Sequence, residues 1–274
     1  MKKKLNYLKL AIQVLLLPPL GHKRLNIIKT VYYNFYCLPF HQAKKFPIWI
    51  FAKTKIYKLG KIEIRAEIKP GMILIGKRGS IFQNLHATRI LNKGIMIFEG
   101  KTDIEHGVAI VNLGKITFGG YIRCASNCRF FITTKLSIGK YARLGFGCFF
   151  VDTDFHYMIN VESGEIKNYK REIVIGNACW IGSDSTIKKG CVLPDYTIVA
   201  SNSVLTKDYT EQIPPYSIIG GVPAKLITSG YRRVFNKEKQ KKLTQYFKEN
   251  KNTQSITVDL KSIDIEKYCM ENAL

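Results

Sequence analysis

The chain has 274 residues, 46% hydrophobic and 23% charged, a balance that excludes wholesale disorder and fits one large or two ordinary globular domains. Lysine and arginine outnumber aspartate and glutamate by 43 to 20, a formal charge of +23 that favours anionic partners: nucleic acid, acidic lipid headgroups, or phosphorylated cofactors and substrates. The seven cysteines are odd in number and scattered, with Cys124 and Cys128 the nearest pair, so their spacing writes neither a disulfide framework nor a zinc knuckle, and buried, reduced thiols in a cytosolic chain are expected.

The chain opens MKKKLNYLKLAIQVLLLPPLGHKR, a basic start followed by an apolar run. Lys9 and Gln13 interrupt that run, Pro18 and Pro19 end it, no small-x-small cleavage site follows, and it is too short to span a bilayer comfortably. A basic amphipathic helix is expected, packed on the protein or resting on an anionic membrane surface, in preference to a cleaved signal. TVYYNFYCLPF and FPIWIFAKTKIYKLG then interleave aromatic residues with lysines. Residues 1–60 are read as a basic, apolar helical cap with an extended segment leading into the repeats beyond residue 60. Aromatic and basic residues together can stack nucleic-acid bases. No RNA- or DNA-binding motif accompanies them, and no nucleic-acid partner is expected.

The repeats have a period of six residues. Phe98, Ile104, Ile110, Ile116 and Ile122 form an aliphatic or aromatic column, with Thr102, Val108, Gly114, Gly120 and Ser126 in a smaller one. The phase slips near Cys128, and a second run takes over at Ile132, Ile138, Leu144 and Phe150, with Ala142 and Cys148 in its small column. After a break from Asp152 to about Glu172, read as an ejected loop, the blocks IGNACW, IGSDST, IKKGCV, LPDYTI, VASNSV and LTKDYT resume the period from Ile175. An amphipathic helix repeats at three and four and an ordinary strand at two, so neither explains a period of six. A coil of short flat strands and tight corners does, with the aliphatic residue in a narrow core and the small one beside the turn.

These columns, and the segment IVIGNACWIGSDSTIKKGCVLPDYTIVASNSVLTKDYTEQIPPYSIIGGVPAKLI above all, resemble the hexapeptide-repeat acyltransferases, which include maltose and galactoside, serine, xenobiotic and surface-polysaccharide O-acetyltransferases. The resemblance covers roughly residues 71–227. It implies an all-β, left-handed parallel β-helix over 61–227 carrying the loop 152–172, between the N-terminal cap and a basic helical extension over 228–274. Handedness comes from the resemblance alone, since six-residue spacing does not encode it. It further implies acetyl-CoA as donor and a homotrimer with sites between subunits; no metal site is evident in the sequence.

Acetyl transfer from a thioester needs a base for the acceptor, and histidine is largely neutral at cytosolic pH. His22 and His41 lie before the repeat, His86 at its irregular entry, and His106 on a corner within a hexad. Only His156, in VDTDFHYM, sits where the loop begins, and loops on rigid scaffolds favour catalysis. The family's catalytic histidine stands at a matching place, so His156 is expected to be the general base. Asp152 and Asp154 are candidates for orienting the imidazole or binding the acceptor, with a solvated or Asx-turn carboxylate as the plainer reading. Asn127 is a candidate acceptor contact from the preceding coil.

For the CoA arm, matching positions are Trp180, Ser183, Ser201, Thr206 and Lys207. Trp180 precedes a hexad's aliphatic residue, so its ring is expected on the outer surface, where it calls for a partner. Lys207 and Lys225 offer charge to CoA phosphates. Relatives often carry Arg where Lys225 stands and a basic residue where Thr228 stands, with Arg232 or Arg233 available to compensate. Zinc-dependent γ-class carbonic anhydrases share such a coil, but His86, His106 and His156 do not fall at compatible intervals.

The expected acceptor is a sugar hydroxyl in capsule, lipopolysaccharide or exopolysaccharide biosynthesis. A lipid-linked saccharide at the inner membrane face would suit the basic N-terminus, giving a cytoplasmic, peripherally membrane-bound protein. The alternatives are a serine or antibiotic acetyltransferase and a non-catalytic hexapeptide-repeat binding protein.

Overall fold

The structure, a computed structural model, describes residues 24–77 and 86–271; the expected helix at the N-terminus lies almost wholly outside them. Contacts divide the chain into one unit up to Ser229 and a second from Gly230 onward.

The first unit is a three-sided coil of parallel strands. Its first face runs Ile48–Ile50, Ile73–Lys77, Thr102–Glu105, Ile122–Cys124, Arg143–Leu144, Trp180–Ile181, Ile198–Val199 and Ile218–Gly221. The long strand Thr88–Phe98 bends across both other faces and joins them into one sheet. Ala109–Asn112, Arg129–Ile132, Phe149–Val151, Thr186–Lys188 and Val204–Leu205 stack on its first half to make the second face. Lys115–Phe118, Lys135–Ile138, Ile173–Ile175 and Val192–Leu193 stack on its second half to make the third. The fold is all-β and fits the left-handed parallel β-helix. Ala224–Thr228 closes it, pairing antiparallel with Ile218–Gly221.

Side chains alternate in and out, and the inward ones form ladders. On the first face the ladder is Ile75, Ile104, Cys124, Leu144, Ile181, Val199 and Ile219, all buried. On the second it is Ile90, Ile110, Phe130, Phe150, Ile187 and Leu205. Burying each such side chain contributes roughly 1.5–3 kcal/mol, so repetition along the axis supplies the stability that short strands lack.

The phase slip has a cause that differs from the expected corner near Cys128. Beyond Ile110 and Phe130 the second face carries one more inward residue, Asn112 and Ile132, so the next residues of the inward column, Phe118 and Ile138, come eight positions later instead of six. This lengthens the early coils to 20 residues, the spacing of the paired Ile104 and Cys124, against 18 between Ile181 and Val199. The ladder therefore continues through Cys124 where six-residue counting expects Ile122. The coil also begins earlier than residue 61: Ile48–Ile50 already pairs with Ile73–Ile75, because an apolar strand needs no hexad to join a parallel edge.

Corners turn on left-handed residues. One edge stacks Gly107, Asn127, Gly147, Asp184 and Asn202, all with positive φ, and the last four each donate a backbone N–H to the coil before. Asparagine and aspartate tolerate this conformation, which is why polar residues recur there.

The second unit holds two helices, α3 (Lys237–Glu249) and α4 (Ile265–Met270). The backbone N–H groups of Phe235 and Asn236 donate to the Cys269 carbonyl, and Arg232 pairs with Glu266. α3 is capped by Asn236 and buries none of its own residues.

All seven cysteines are free thiols, and six are buried. Burial pushes Cys37 and Cys179 up to about 12 and Cys128 and Cys191 well above their ordinary value. Because the thiolate is the reactive form, a disulfide-exchange reagent at pH 8 should titrate the native protein slowly and all seven thiols at once in denaturant. Rapid native modification of several would contradict this packing.

Candidate active site

At Val151 the second face ends, and the chain leaves the coil until Ile173. The departing arm is ordered by its own backbone. Asp154 N–H donates to Tyr169 C=O (2.9 Å), Arg171 N–H to Asp152 C=O (3.1 Å), and near the tip Asn160 N–H to Glu165 C=O (2.9 Å). Thr153 pairs with Lys170 and Ile159 with Ile166 in antiparallel bridges, and Asn160 Oδ1 accepts from Glu162 and Ser163 N–H at the turn.

Asp152 anchors this arm. Its carboxylate is fully buried and accepts from the backbone N–H of Thr133 (2.8 Å) and Thr134 (2.6 Å) and from both threonine hydroxyls (3.0 and 2.6 Å). So engaged, the carboxylate has a structural part, tying the stem of the arm to the coil. Asp154 is also occupied: Lys189 Nζ lies 2.8 Å from one oxygen and Lys188 Nζ 3.6 Å from the other. Neither carboxylate orients His156.

His156 is exposed, and none of the described residues hydrogen-bonds its ring. It lines a pocket of about 260 Å³ with Asp154, Met158, Asn160, Tyr169 and Lys189. Tyr157 packs edge-on against Tyr169 with ring centroids 4.5 Å apart, stiffening one wall. The lining is mixed: Met158, Ile159 and the Tyr169 ring stand among Asp154, Asn160, Glu165, Lys167 and Lys189. Sequence alone does not single out Lys189 and Tyr169: IKKGCV reads as a core hexad, and only the ejected arm brings Tyr169 back over that corner.

The remaining candidates fall on other parts of the prism. Thr206 and Lys207 are exposed and follow Val204–Leu205, one coil beyond Lys188 and Lys189 on the edge that carries the arm. Asn127, Ser183 and Ser201 lie on the edge between first and second faces. Asn127 has φ +63°, and its buried Oδ1 has no hydrogen-bond partner among the described residues. Trp180, 41% exposed, sits on the first face in register with Arg143 and Ile198, as expected for an outward ring. Lys225 is exposed in the closing hairpin opposite Gly220. Within one chain the whole third face separates His156 from Trp180. Among the described residues no group of three or more His, Cys, Asp or Glu side chains is placed to hold a metal.

Residues 172–207 match the family model described as bacterial transferase hexapeptide (six repeats). The chain is 34% identical over 110 residues to chloramphenicol acetyltransferase of Morganella morganii, covering 34% of this chain and 50% of that protein. It is 41% identical over 56 residues to polysialic acid O-acetyltransferase of Neisseria meningitidis, covering 20% and 26%. The solved polySia specific acetyltransferase NeuO superimposes with a TM-score of 0.47 at 15% identity, over 77% of this chain and 91% of that one. The chain spans about half the length of the first curated relatives it matches.

Proposed function

We propose that this chain is an acyl-CoA-dependent O-acetyltransferase that moves the acetyl group of acetyl-CoA to a sugar hydroxyl, with His156 as general base. The observation that carries the reading is an exposed histidine, its ring hydrogen-bonded to none of the described residues, lining a mixed polar and apolar pocket beside a segment that matches the bacterial transferase hexapeptide model. Nε2 or Nδ1 takes the hydroxyl proton as the oxygen attacks the thioester carbonyl. The tetrahedral oxyanion collapses with cleavage of the carbon–sulfur bond, and the imidazolium returns its proton to the departing thiolate. The Tyr169 ring suits the C–H face of a sugar, and Asn160 with the Lys189-paired carboxylate of Asp154 offers acceptors to its hydroxyls.

Trp180, Ser183, Ser201, Thr206, Lys207 and Lys225 form the proposed grip on CoA. They lie on two edges, the first face and the closing hairpin, so the site is completed by a neighbouring copy in a homotrimer. The acceptor is a saccharide of capsule, lipopolysaccharide or exopolysaccharide assembly, and Asn127 contacts it from that neighbour. Similarity to an antibiotic-acetylating enzyme supports a second reading, a xenobiotic acetyltransferase. Purified protein with acetyl-CoA and a panel of sugars, chloramphenicol and serine separates them. Free CoA together with a singly acetylated sugar is expected. Turnover with chloramphenicol or serine alone would replace the sugar reading.

No described helix is long and apolar enough to cross a membrane. A cytoplasmic protein held peripherally at the membrane accords with the proposed acceptor.

A further inference from the structure

Helix α1 (Ile27–Cys37) is built the wrong way round for a helix facing water. Its fully buried residues are polar, Thr30 and Asn34. They cover the outer edge of Ile48–Ile50, the last strand of the first face: Thr30 Oγ accepts from Ile50 N–H (3.1 Å), Asn34 Oδ1 from Ile48 N–H (3.1 Å), and Asn34 Nδ2 donates to Ile48 C=O (2.7 Å). This satisfies an edge that would otherwise invite pairing with another chain. It also accounts for the inward face completely.

The outward face is not accounted for by the fold. Ile28, Val31, Tyr32, Phe35 and Tyr36 recur at helical spacing and are all exposed, Ile28 at 84% and Tyr36 at 66%. The stripe continues on to Phe40, 71% exposed, whose ring lies 6.0 Å from that of Phe35 at the start of α2 (Phe40–Ala43). Tyr32 and Tyr36 stack on one another at 5.5 Å, presenting rigid rings with polar tips. Lys44 sits over Phe40 at the rim, with Lys45 exposed beside it. Residues 24–77 carry eleven lysines and arginines against two glutamates. Both glutamates are already paired, with Lys61, Arg65 and Lys69.

We propose that the outward face of α1, with Phe40, docks on an anionic lipid surface. Short amphipathic helices with aromatic residues at the interface and lysines at the rim bind such surfaces by apolar burial plus headgroup attraction, and tyrosine suits the boundary. The charge excludes a neutral surface as the preferred occupant, and an aqueous one leaves six large apolar side chains exposed together.

The test is sedimentation of the full chain with vesicles of phosphatidylcholine alone or of phosphatidylcholine with phosphatidylglycerol. Binding to the anionic vesicles only, weakened by salt, is expected. The triple variant Ile28→Ser/Tyr36→Ser/Phe40→Ser should partition about tenfold less, and Lys44→Glu/Lys45→Glu several-fold less, with melting temperature and acetyl transfer to a water-soluble acceptor unchanged. Equal binding to both vesicle types, no binding, or unchanged binding by the triple variant would overturn the proposal. So would a smaller assembly for the triple variant by light scattering, which would assign the face to a second copy of the chain.

Discussion

Replacing His156 with alanine is expected to lower kcat for acetyl transfer by about a thousandfold, within the roughly 10²–10⁴ that a positioned general base contributes. The imidazole is exposed and hydrogen-bonded to none of the described residues, so its removal leaves no buried group unsatisfied and no packing void. Acetyl-CoA affinity by calorimetry and assembly size by light scattering should therefore match the parent. A variant retaining full kcat would place the base elsewhere and remove the histidine from the mechanism. A variant that lost assembly would mean the ring is structural in a way the isolated chain does not reveal.

Asp152→Ala should act through stability. Five hydrogen bonds within 3.0 Å converge on its carboxylate from Thr133 and Thr134, all inside the coil. Truncation strands two part-buried backbone donors and releases the stem of the arm that carries His156. A loss of about 3 kcal/mol in denaturant unfolding is expected, in line with breaking a buried charge-assisted network. kcat should fall with it, since the base is no longer held over the pocket. Unchanged stability together with weaker acceptor binding would instead return Asp152 to a substrate contact.

That reassignment shows where sequence reading stops. The aliphatic columns are legible because each residue in them meets the same inward environment in every coil, so the period survives without knowledge of contacts. The extra dipeptide between Ile110 and Phe118 breaks the count, since a face lengthened by one inward residue looks, in one dimension, like a slip further along. His156 is legible from its place at the break in the period. Asp152 and Asp154 are not: both precede it in a motif rich in carboxylates, and only distances separate one buried under threonines from one held by Lys188 and Lys189. Lys189 and Tyr169 escape notice for a related reason. One belongs to the corner of a later coil and the other to the returning limb of the arm, and the fold alone makes them neighbours of His156. The polar inner face of α1 is equally hidden, because TVYYNFYC reads as an apolar helix until the edge strand beneath Thr30 and Asn34 is seen.

The central claim is that one acetyl-transfer site is assembled from two copies, His156 on one edge of one coil and Trp180 on the first face of the next. It is tested most directly by co-assembling two inactive variants, His156→Ala and Trp180→Ala, and assaying the mixture at sub-saturating acetyl-CoA. If sites are shared around a closed ring of three, random mixing regenerates an intact pair in about a quarter of the sites, and activity should recover to about that fraction of the parent. A mixture no more active than either variant alone would contradict a shared site and confine the chemistry to a single chain.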